Sequence, residues 1–313
     1  MTGNTRFCDG LYDLVDSYDG FILDQWGVLH DGIKPYDGVL HALRQLKTHG
    51  KQVVVLSNSG KRAEYNAARL AELGIKKTMY RAVVSAGEVA WEVLKNRHEG
   101  KSFRDLQGKN RCFLIARGND RSLLDGLEDI ELVDEVQDAE FILITGTDAP
   151  KKTLADYEPL LRRAATSRIP LICANPDEVT VFGRERAMGP GALAKKYQEF
   201  GGVSHMIGKP YAPAFRHCIS LFDGVIPSRM VVIGDSLYHD VAGANALDID
   251  AVFIMGGLHA AEFKEDVNEE ACHRHVEHLI HQYSARPLWV MDHMIWQSPE
   301  AARLEKIREM SND

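Results

Sequence analysis

The sequence predicts an α/β protein built on a doubly wound, Rossmann-like parallel sheet, with a second α/β domain inserted into it. Short apolar runs that end in glycine, asparagine or an acidic residue recur along the chain, as in GFILD, QVVVLSNSG and MVVIGD. Runs of this length are typical of buried strands. Helical patterns lie between them, and strands that alternate with helices indicate a parallel sheet covered on both faces.

The first helices have clear sequence boundaries. PYDGVLHALRQLKTHG has Pro35 near its first turn, carries leucines and a valine along one face, and stops at Gly50. AEYNAARLAELG follows the same pattern and stops at Gly74. In sheets of this class, ligands bind beyond the carboxyl ends of the strands. Acidic and hydroxyl residues at those ends are therefore candidate functional groups.

The pattern of strands and helices also predicts the domain organisation. The length of 313 residues fits two domains. We expect residues 1–95 and 204–313 to form the doubly wound core, the second part ending in a helical C-terminal extension. Residues 96–203 contain strands and helices of their own and are expected to form the inserted α/β cap domain.

Composition excludes several classes of partner. The formal net charge of −8 and the pI near 5.9 argue against binding to nucleic acid or to anionic lipid. The N-terminus does not have the pattern of a signal peptide, and no apolar run approaches the ~20 residues of a membrane span. The five cysteines are scattered without a CxxC pair, which is typical of a reduced cytoplasmic protein.

Four short motifs carry the chemistry, and each follows an apolar run. They are LDQWGVLHDG with Asp24, VLSNSG with Ser57, IGKPYAP with Lys209, and VIGDSLYHD with Asp235 and Asp240. A carboxylate can attack phosphorus, a hydroxyl and an ammonium group can hold phosphoryl oxygens, and further acids can hold a hard cation. Together the motifs predict a reaction through an aspartyl phosphate.

These motifs, in this order, resemble those of the haloacid dehalogenase superfamily of aspartate-nucleophile hydrolases. The best match is class IIA, which inserts a large α/β cap between the second and third motifs and includes sugar phosphatases, p-nitrophenyl phosphatases and pyridoxal phosphate phosphatase. The resemblance covers roughly residues 15–260. It implies a phosphatase for a small phosphorylated metabolite, and it allows a homodimer, since caps of this class often mediate dimers.

The resemblance assigns roles to the matching residues. It implies that Asp24 is the nucleophile and that Lys209 pairs with the phosphoryl group. Ser57 would bind the phosphate with help from the backbone of Asn58. The implied metal ligands are Asp24, the main-chain carbonyl of Trp26, Asp235 and, through water, Asp240. Magnesium suits such a set, because it prefers oxygen ligands and keeps several waters.

Trp26 departs from the family pattern, in which a second aspartate protonates the leaving group and then activates water. An indole can do neither, and general acid–base catalysis contributes ~10² to 10⁴-fold. The first interpretation is a slow or specialised phosphatase whose leaving group needs no proton, or whose acid is His30 or His239. The second is a sensor that binds a phosphorylated metabolite without turnover. The third is a dehalogenase, because such members also have an aromatic residue here, although they use no metal.

Two further groups have alternative interpretations. Asn175 and Asp177 in ANPDEV either point from the cap toward substrate or form an Asx turn. His275, His278 and His281 advance by three along a helical stripe. Zinc sites usually have a tighter ligand spacing, so a solvated helix face is the favoured interpretation of this stripe.

Overall fold

The computed structural model describes residues 5–100, 103–182, 185–264 and 268–297. These residues divide into two compact units. The core unit comprises residues 5–56 and 67–83 together with the described residues from 218 to 297. The inserted unit comprises residues 57–66 together with the described residues from 84 to 217. The domain boundaries expected at residues 95/96 and 203/204 remain a prediction.

The strands and helices alternate along most of the chain. The strands are β1 (Arg6–Phe7), β2 (Gly20–Asp24), β3 (Gln52–Ser57), β4 (Ala82–Ser85), β5 (Arg111–Ile115), β6 (Glu131–Leu132), β7 (Phe141–Ile144), β8 (Leu171–Cys173), β9 (Val179–Phe182), β10 (Glu185–Met188), β11 (Ser204–Met206), β12 (Met230–Gly234), β13 (Asp250–Ile254) and β14 (Trp289–Met291). The helices are α1 (Val39–Thr48), α2 (Ala63–Glu72), α3 (Ala86–Lys95), α4 (Leu154–Thr166), α5 (Pro190–Glu199), α6 (Ala212–Ser220), α7 (Ala242–Asn245), α8 (Ala260–Phe263) and α9 (Glu269–Tyr283). Short 3₁₀ turns and one π-helical turn, Leu237–Val241, join several of them.

The first sheet has the order β1-β14-β13-β12-β2-β3-β4. Its strands pair in parallel from β1 through to β3. All five residues of β2 and all five of β12 are buried, which explains why both read as continuous apolar runs. The register sets Leu23 beside Ile233 and Gly234 beside Phe253, so β2, β12 and β13 end at one edge. The predicted doubly wound parallel α/β fold is confirmed.

Helix α1 illustrates how the sequence pattern becomes packing. Val39, Leu43 and Leu46 are fully buried in the same apolar cluster as the inward-facing residues of β2 and β12. The helix begins after Gly38, whose φ is +85°, and is followed by Gly50 with a φ of +68°. It therefore starts later than its proline suggested and stops where the glycine predicted.

The inserted unit has a parallel sheet of its own, in the order β11-β8-β7-β5-β6. Strands β9 and β10 form a separate antiparallel pair. Helices α4 and α5 cover the sheet, and their buried residues Tyr157, Leu161, Leu193 and Tyr197 form one core with β7 and β8. The predicted second α/β domain is thus present as an independent hydrophobic core.

The final described helix carries the histidine stripe. Helix α9 buries Val276, Leu279 and Ile280 and exposes His278 and His281, whereas His275 is half-buried against Phe263, so the predicted solvated stripe is only partly met. The part of the predicted C-terminal extension beyond residue 297 lies outside the described residues. None of the described helices combines the length and the apolar character that crossing a bilayer requires.

Candidate active site

Three carboxylates meet at the carboxyl ends of two neighbouring strands of the core unit. Asp24 is the last residue of β2, Asp235 directly follows β12, and Asp240 lies in the π-helical turn that comes next. Each has a carboxylate oxygen within 4.8 Å of the others, and the three residues are 8%, 7% and 1% exposed. Within the described ranges they form the only such group of histidine, cysteine or acidic side chains. Their catalytic and metal-binding roles remain predictions.

Glycine backbone packs directly against these carboxylates. Gly27 has a φ of +82°, and a Cβ there would lie 1.7 Å from Asp235 Oδ2. A Cβ at Gly257 would lie 2.4 Å from the Asp235 side chain, and one at Gly234 would lie 2.0 Å from Asp240 Cγ. No real side chain fits at such separations. The glycine that follows Trp26 is therefore required by the carboxylate on the neighbouring strand.

Backbone amides fix the orientation of the carboxylates. The Gln25 N–H donates to Asp24 Oδ1 over 2.7 Å, and the Leu258 N–H donates to Asp235 Oδ2 over 2.7 Å. The Ser236 N–H donates to Asp240 Oδ2 over 3.1 Å. Three buried acids so close together repel one another when ionised, and a bound cation removes that repulsion. The oxygen-only donor set fits a hard cation such as Mg²⁺.

Trp26 is exposed although it follows a buried strand. The residue is 55% exposed, whereas its neighbour Gln25 is buried. The indole lies against Gly32, where a Cβ would be 2.4 Å from its Cζ2 atom, and its centroid is 5.9 Å from that of His30 with the rings at 71°. The Gly27 N–H donates to the His30 carbonyl over 3.0 Å and closes the turn. Trp26 is therefore held on the surface by a tight turn.

His30 is neutral inside this turn. It is 1% exposed, and burial, helped by the charge of Arg69, lowers its pKa from 6.5 to about 4. Its Nδ1 accepts a hydrogen bond of 2.9 Å from the Gly32 N–H, so the ring proton is on Nε2. A neutral imidazole does not act as a general acid at pH 7, which argues against His30 as a replacement for the missing aspartate.

The Gln25 side chain completes the buried polar pair. Its amide nitrogen lies 3.1 Å from His30 Nε2, and its Oε1 has no hydrogen-bond partner among the described residues. Since His30 Nε2 carries a proton, the Gln25 amide nitrogen and His30 Nε2 would be two donors facing each other. Exchanging the amide oxygen and nitrogen lets Oε1 accept that proton. The Gln25–His30 pair then ties the two ends of the turn that carries Trp26.

The predicted phosphate-binding and cap residues lie together in the inserted unit. The Asn58 amide donates to Asp177 Oδ1 over 2.8 Å and to the Lys209 carbonyl over 3.1 Å, and it accepts the Lys209 N–H over 2.6 Å. Ser57 Oγ accepts the Ser59 N–H over 3.3 Å. The Asn58 side chain, which the sequence analysis gave no role, thus positions the lysine and the acid.

The Asx-turn interpretation of ANPDEV is also realised. The Asp177 N–H donates to Asn175 Oδ1 over 3.0 Å, which closes a turn around Pro176. This turn presents Asp177 to Asn58, because Oδ1 of Asp177 accepts from that amide. A direct substrate contact from Asn175 or Asp177 remains a prediction.

We expect Gly27→Ala to destabilise the protein more than Gly50→Ala. Both glycines have a left-handed φ, +82° and +68°, but only Gly27 faces a carboxylate, while nothing lies within 4 Å of a Cβ at Gly50. The left-handed φ destabilises both variants by ~1–2 kcal/mol. The clash with the Asp235 carboxylate destabilises Gly27→Ala by a further ~1–3 kcal/mol. Denaturant midpoints measure the difference, and equal losses would show that the turn accommodates a methyl group.

We also expect the wild type to lose more stability in acid than His30→Asn, which keeps an acceptor for the Gly32 N–H. The folded-state pKa of His30 is lowered to about 4 from 6.5, so the unfolded chain takes up the proton first. The stabilisation by neutral His30 is complete above about pH 6.5 and is lost as pH falls to about 4. Denaturation at pH 7 and pH 4 measures the extra loss, about 3 kcal/mol; parallel curves for the two proteins would contradict it.

Family models match two segments of the chain. Residues 21–128 match the haloacid dehalogenase-like hydrolases, and residues 206–281 match a model described as HAD-hydrolase-like. The first segment contains Asp24, Ser57 and Asn58, and the second contains Lys209, Asp235 and Asp240. Both matches agree with the resemblance that the four motifs suggested.

Individual relatives extend this likeness over most of the chain. Chronophin of Mus musculus is 28% identical over 262 residues, which are 80% of this chain and 86% of chronophin. A haloacid dehalogenase-like hydrolase structure from Brucella suis is 29% identical, with a TM-score of 0.74, and covers 92% of this chain and 100% of its own. A glycerol phosphate phosphatase structure from Mycobacterium tuberculosis in complex with calcium is 21% identical, with a TM-score of 0.60, and covers 78% of this chain and 68% of its own. Two segments of this chain are thus similar to haloacid dehalogenase-like hydrolases, and the chain has the fold of capped hydrolases of that superfamily.

Proposed function

We propose that this chain is a magnesium-dependent phosphatase of class IIA of the superfamily, acting on a small phosphorylated metabolite through an aspartyl phosphate. The observation that carries the proposal is the convergence of three buried carboxylates at the ends of β2 and β12. Relatives named as phosphatases, a D-glycerol 3-phosphate phosphatase and a 4-nitrophenylphosphatase, support the reaction class. The retained acids favour this function over dehalogenation, because the superfamily's dehalogenases use no metal.

In the proposed first step, a carboxylate oxygen of Asp24 attacks phosphorus. The bond from phosphorus to the leaving-group oxygen breaks, and the leaving group departs with that electron pair. The Gln25 N–H supports this role, since it holds one carboxylate oxygen at 2.7 Å and so restricts rotation of the side chain. In the second step, water attacks the phosphorus of the aspartyl phosphate and releases inorganic phosphate, one proton and the free carboxylate of Asp24.

Asp24, Asp235, Asp240 and the main-chain carbonyl of Trp26 would hold the magnesium ion. When bound, the ion neutralises the carboxylates and the negative charge of the phosphoryl group. The Leu258 N–H and the Ser236 N–H support the same arrangement. Each binds one oxygen of a carboxylate, Asp235 or Asp240, and so fixes the direction of the other oxygen. The calcium complex of the mycobacterial relative supports a divalent ion.

Ser57, the backbone of Asn58, and Lys209 are proposed to bind the phosphoryl oxygens. Lys209 is 3% exposed, and a buried ammonium group is favourable beside a dianion. The Asn58 side chain supports this role by bonding both backbone groups of Lys209. Contacts from Asn175 and Asp177 to the rest of the substrate belong to the same proposal, as do a cytoplasmic location and a homodimer.

We expect Mg²⁺ to bind and stabilise the wild type but not Asp235→Asn. Removing one of three carboxylates lowers the charge of the site and should weaken Mg²⁺ binding by at least about tenfold. Asp37→Asn is the matched control, because that side chain is fully exposed on the same unit. Calorimetry and melting temperature with added MgCl₂ measure the effect. Equal Mg²⁺ affinity in both variants would contradict the proposed site.

We expect Trp26→Asp to raise the turnover of p-nitrophenyl phosphate and sugar phosphates by about tenfold or more, because it restores the general acid and base. Asp24→Asn should abolish hydrolysis in both the wild-type and the Trp26→Asp background. Since removing an indole also changes packing, melting temperatures of all variants are needed, with Trp26→Asn as the isosteric control that cannot transfer a proton.

The outcome separates the two leading interpretations of the sequence. Turnover that rises in Trp26→Asp but not in Trp26→Asn supports the phosphatase. A folded Trp26→Asp protein that binds Mg²⁺ and hydrolyses nothing across a broad phosphate panel would replace the phosphatase with the metabolite-binding sensor. Stabilisation of the wild type by a phosphorylated compound, measured by thermal shift, would then identify the bound class.

A further inference from the structure

We infer that Trp26 selects substrates whose leaving group is a planar, conjugated oxyanion, as in aryl phosphates, enol phosphates and acyl phosphates. This inference rests on the proposed function and specifies its substrate class. Two independent features of Trp26 lead to it. One is the fixed, exposed indole two residues after Asp24 and next to Gly27, whose backbone packs against Asp235, and the other is the absence of a proton donor from this position.

The indole is pre-organised as a stacking surface. Its six-membered ring lies against Gly32, where a Cβ would come within 2.4 Å, and the His30 ring meets it edge-on at 71°. The turn below is closed by backbone hydrogen bonds from Gly27 to His30 and from Leu29 to Gln25. More than half of the side chain stays exposed, at 55%. A ring that is already immobilised loses little conformational entropy when a ligand stacks on it.

Other exposed apolar side chains belong to segments that contact the same cluster. Leu258 is 56% exposed, and its N–H donates to Asp235 Oδ2. Tyr238 is 43% exposed and lies in the turn between Asp235 and Asp240. Isolated exposed apolar residues are ordinary, but Trp26, Tyr238 and Leu258 all lie on segments that carry or contact the three carboxylates, which supports a binding site for an apolar group there. The polar end of such a ligand would face the carboxylates and their cation.

The missing proton donor restricts the leaving group further. When the bond to phosphorus breaks, the leaving oxygen takes the electron pair and, without an acid, departs as an anion. An alkoxide is a poor leaving group in this form, whereas a phenolate, an enolate or a carboxylate spreads the charge over a conjugated system. His30 offers no substitute, because both of its ring nitrogens are engaged within the turn, Nδ1 with the Gly32 N–H and Nε2 with the Gln25 side chain.

Stacking and charge delocalisation therefore select the same chemistry. A leaving group that spreads negative charge is conjugated, hence planar, and a planar group is what an exposed indole binds best. An aspartate in place of Trp26 would accept both alkyl and aryl esters. We therefore assign Trp26 the role of a specificity-determining residue that binds the leaving group and contributes no proton transfer.

The kinetic test compares phosphate esters in the presence of Mg²⁺. For wild type we expect kcat/KM to fall steadily along a series of phenyl phosphates as the pKa of the phenol rises toward ~10. An alkyl ester should react at least ~100-fold more slowly than p-nitrophenyl phosphate, since general acid catalysis usually supplies ~10² to 10⁴-fold. Trp26→Asp should flatten the series. Equal rates for alkyl and aryl esters in wild type would overturn the inference while leaving the phosphatase intact.

A binding test examines the stacking without turnover. Phenylphosphonate and cyclohexylphosphonate have equal carbon counts and no cleavable ester, and only the first is planar. We expect wild type and Trp26→Phe to prefer phenylphosphonate by roughly 3- to 10-fold in calorimetry, and Trp26→Ala to lose that preference. An equal preference in Trp26→Ala would overturn the role of the indole. If neither phosphonate binds and no ester in the series is hydrolysed, the proposed phosphatase itself fails together with this inference.

Discussion

The structure of the site depends on the packing of three buried carboxylates against bare backbone. Asp24, Asp235 and Asp240 converge because two parallel strands of the same sheet end side by side. Only amide donors together with a bound cation can offset the electrostatic repulsion between these carboxylates. Gly27, at 1.7 Å for a hypothetical Cβ, shows how closely the chain must approach them. The local sequence around each acid follows from this single constraint.

The exposed tryptophan is one consequence of that packing. Gly27 has a left-handed φ, which lets the backbone pass close to Asp235. The two residues before it therefore face opposite ways: Gln25 is buried against His30, and Trp26 is on the surface. The buried amide–imidazole pair lies on the inner side of the turn, and the indole lies against Gly32 on the outer side. A run that reads as strand thus ends at Asp24 because the next residues serve the turn and the site.

Much of this arrangement could be predicted from the sequence, and the remainder depended on contacts that leave no local signal. The strand ends at Asp24 and Asp235 followed from apolar runs that stop at an acid. The Leu258 N–H that holds Asp235 could not be predicted, since a backbone donor is the same in every residue type. The Asn58 side chain bonds Lys209 across 151 residues, a pairing set only by tertiary structure. The neutral state of His30 likewise follows from its burial in the folded chain and from the charge of Arg69, which is distant in sequence.

A large apolar side chain at Trp26 has a physical cost that a small polar residue would avoid, since exposed aromatic surface is stabilised only when something covers it. Where a general acid is absent, the barrier for leaving-group departure must be lowered by the substrate itself. A conjugated leaving group has both properties, because delocalisation stabilises its anion and its flat face covers the indole. Exchanging an acid for an aromatic ring would then narrow the range of substrates to those whose leaving group departs without a proton. On this proposal, the exposed indole and the missing proton donor select the same class of substrate.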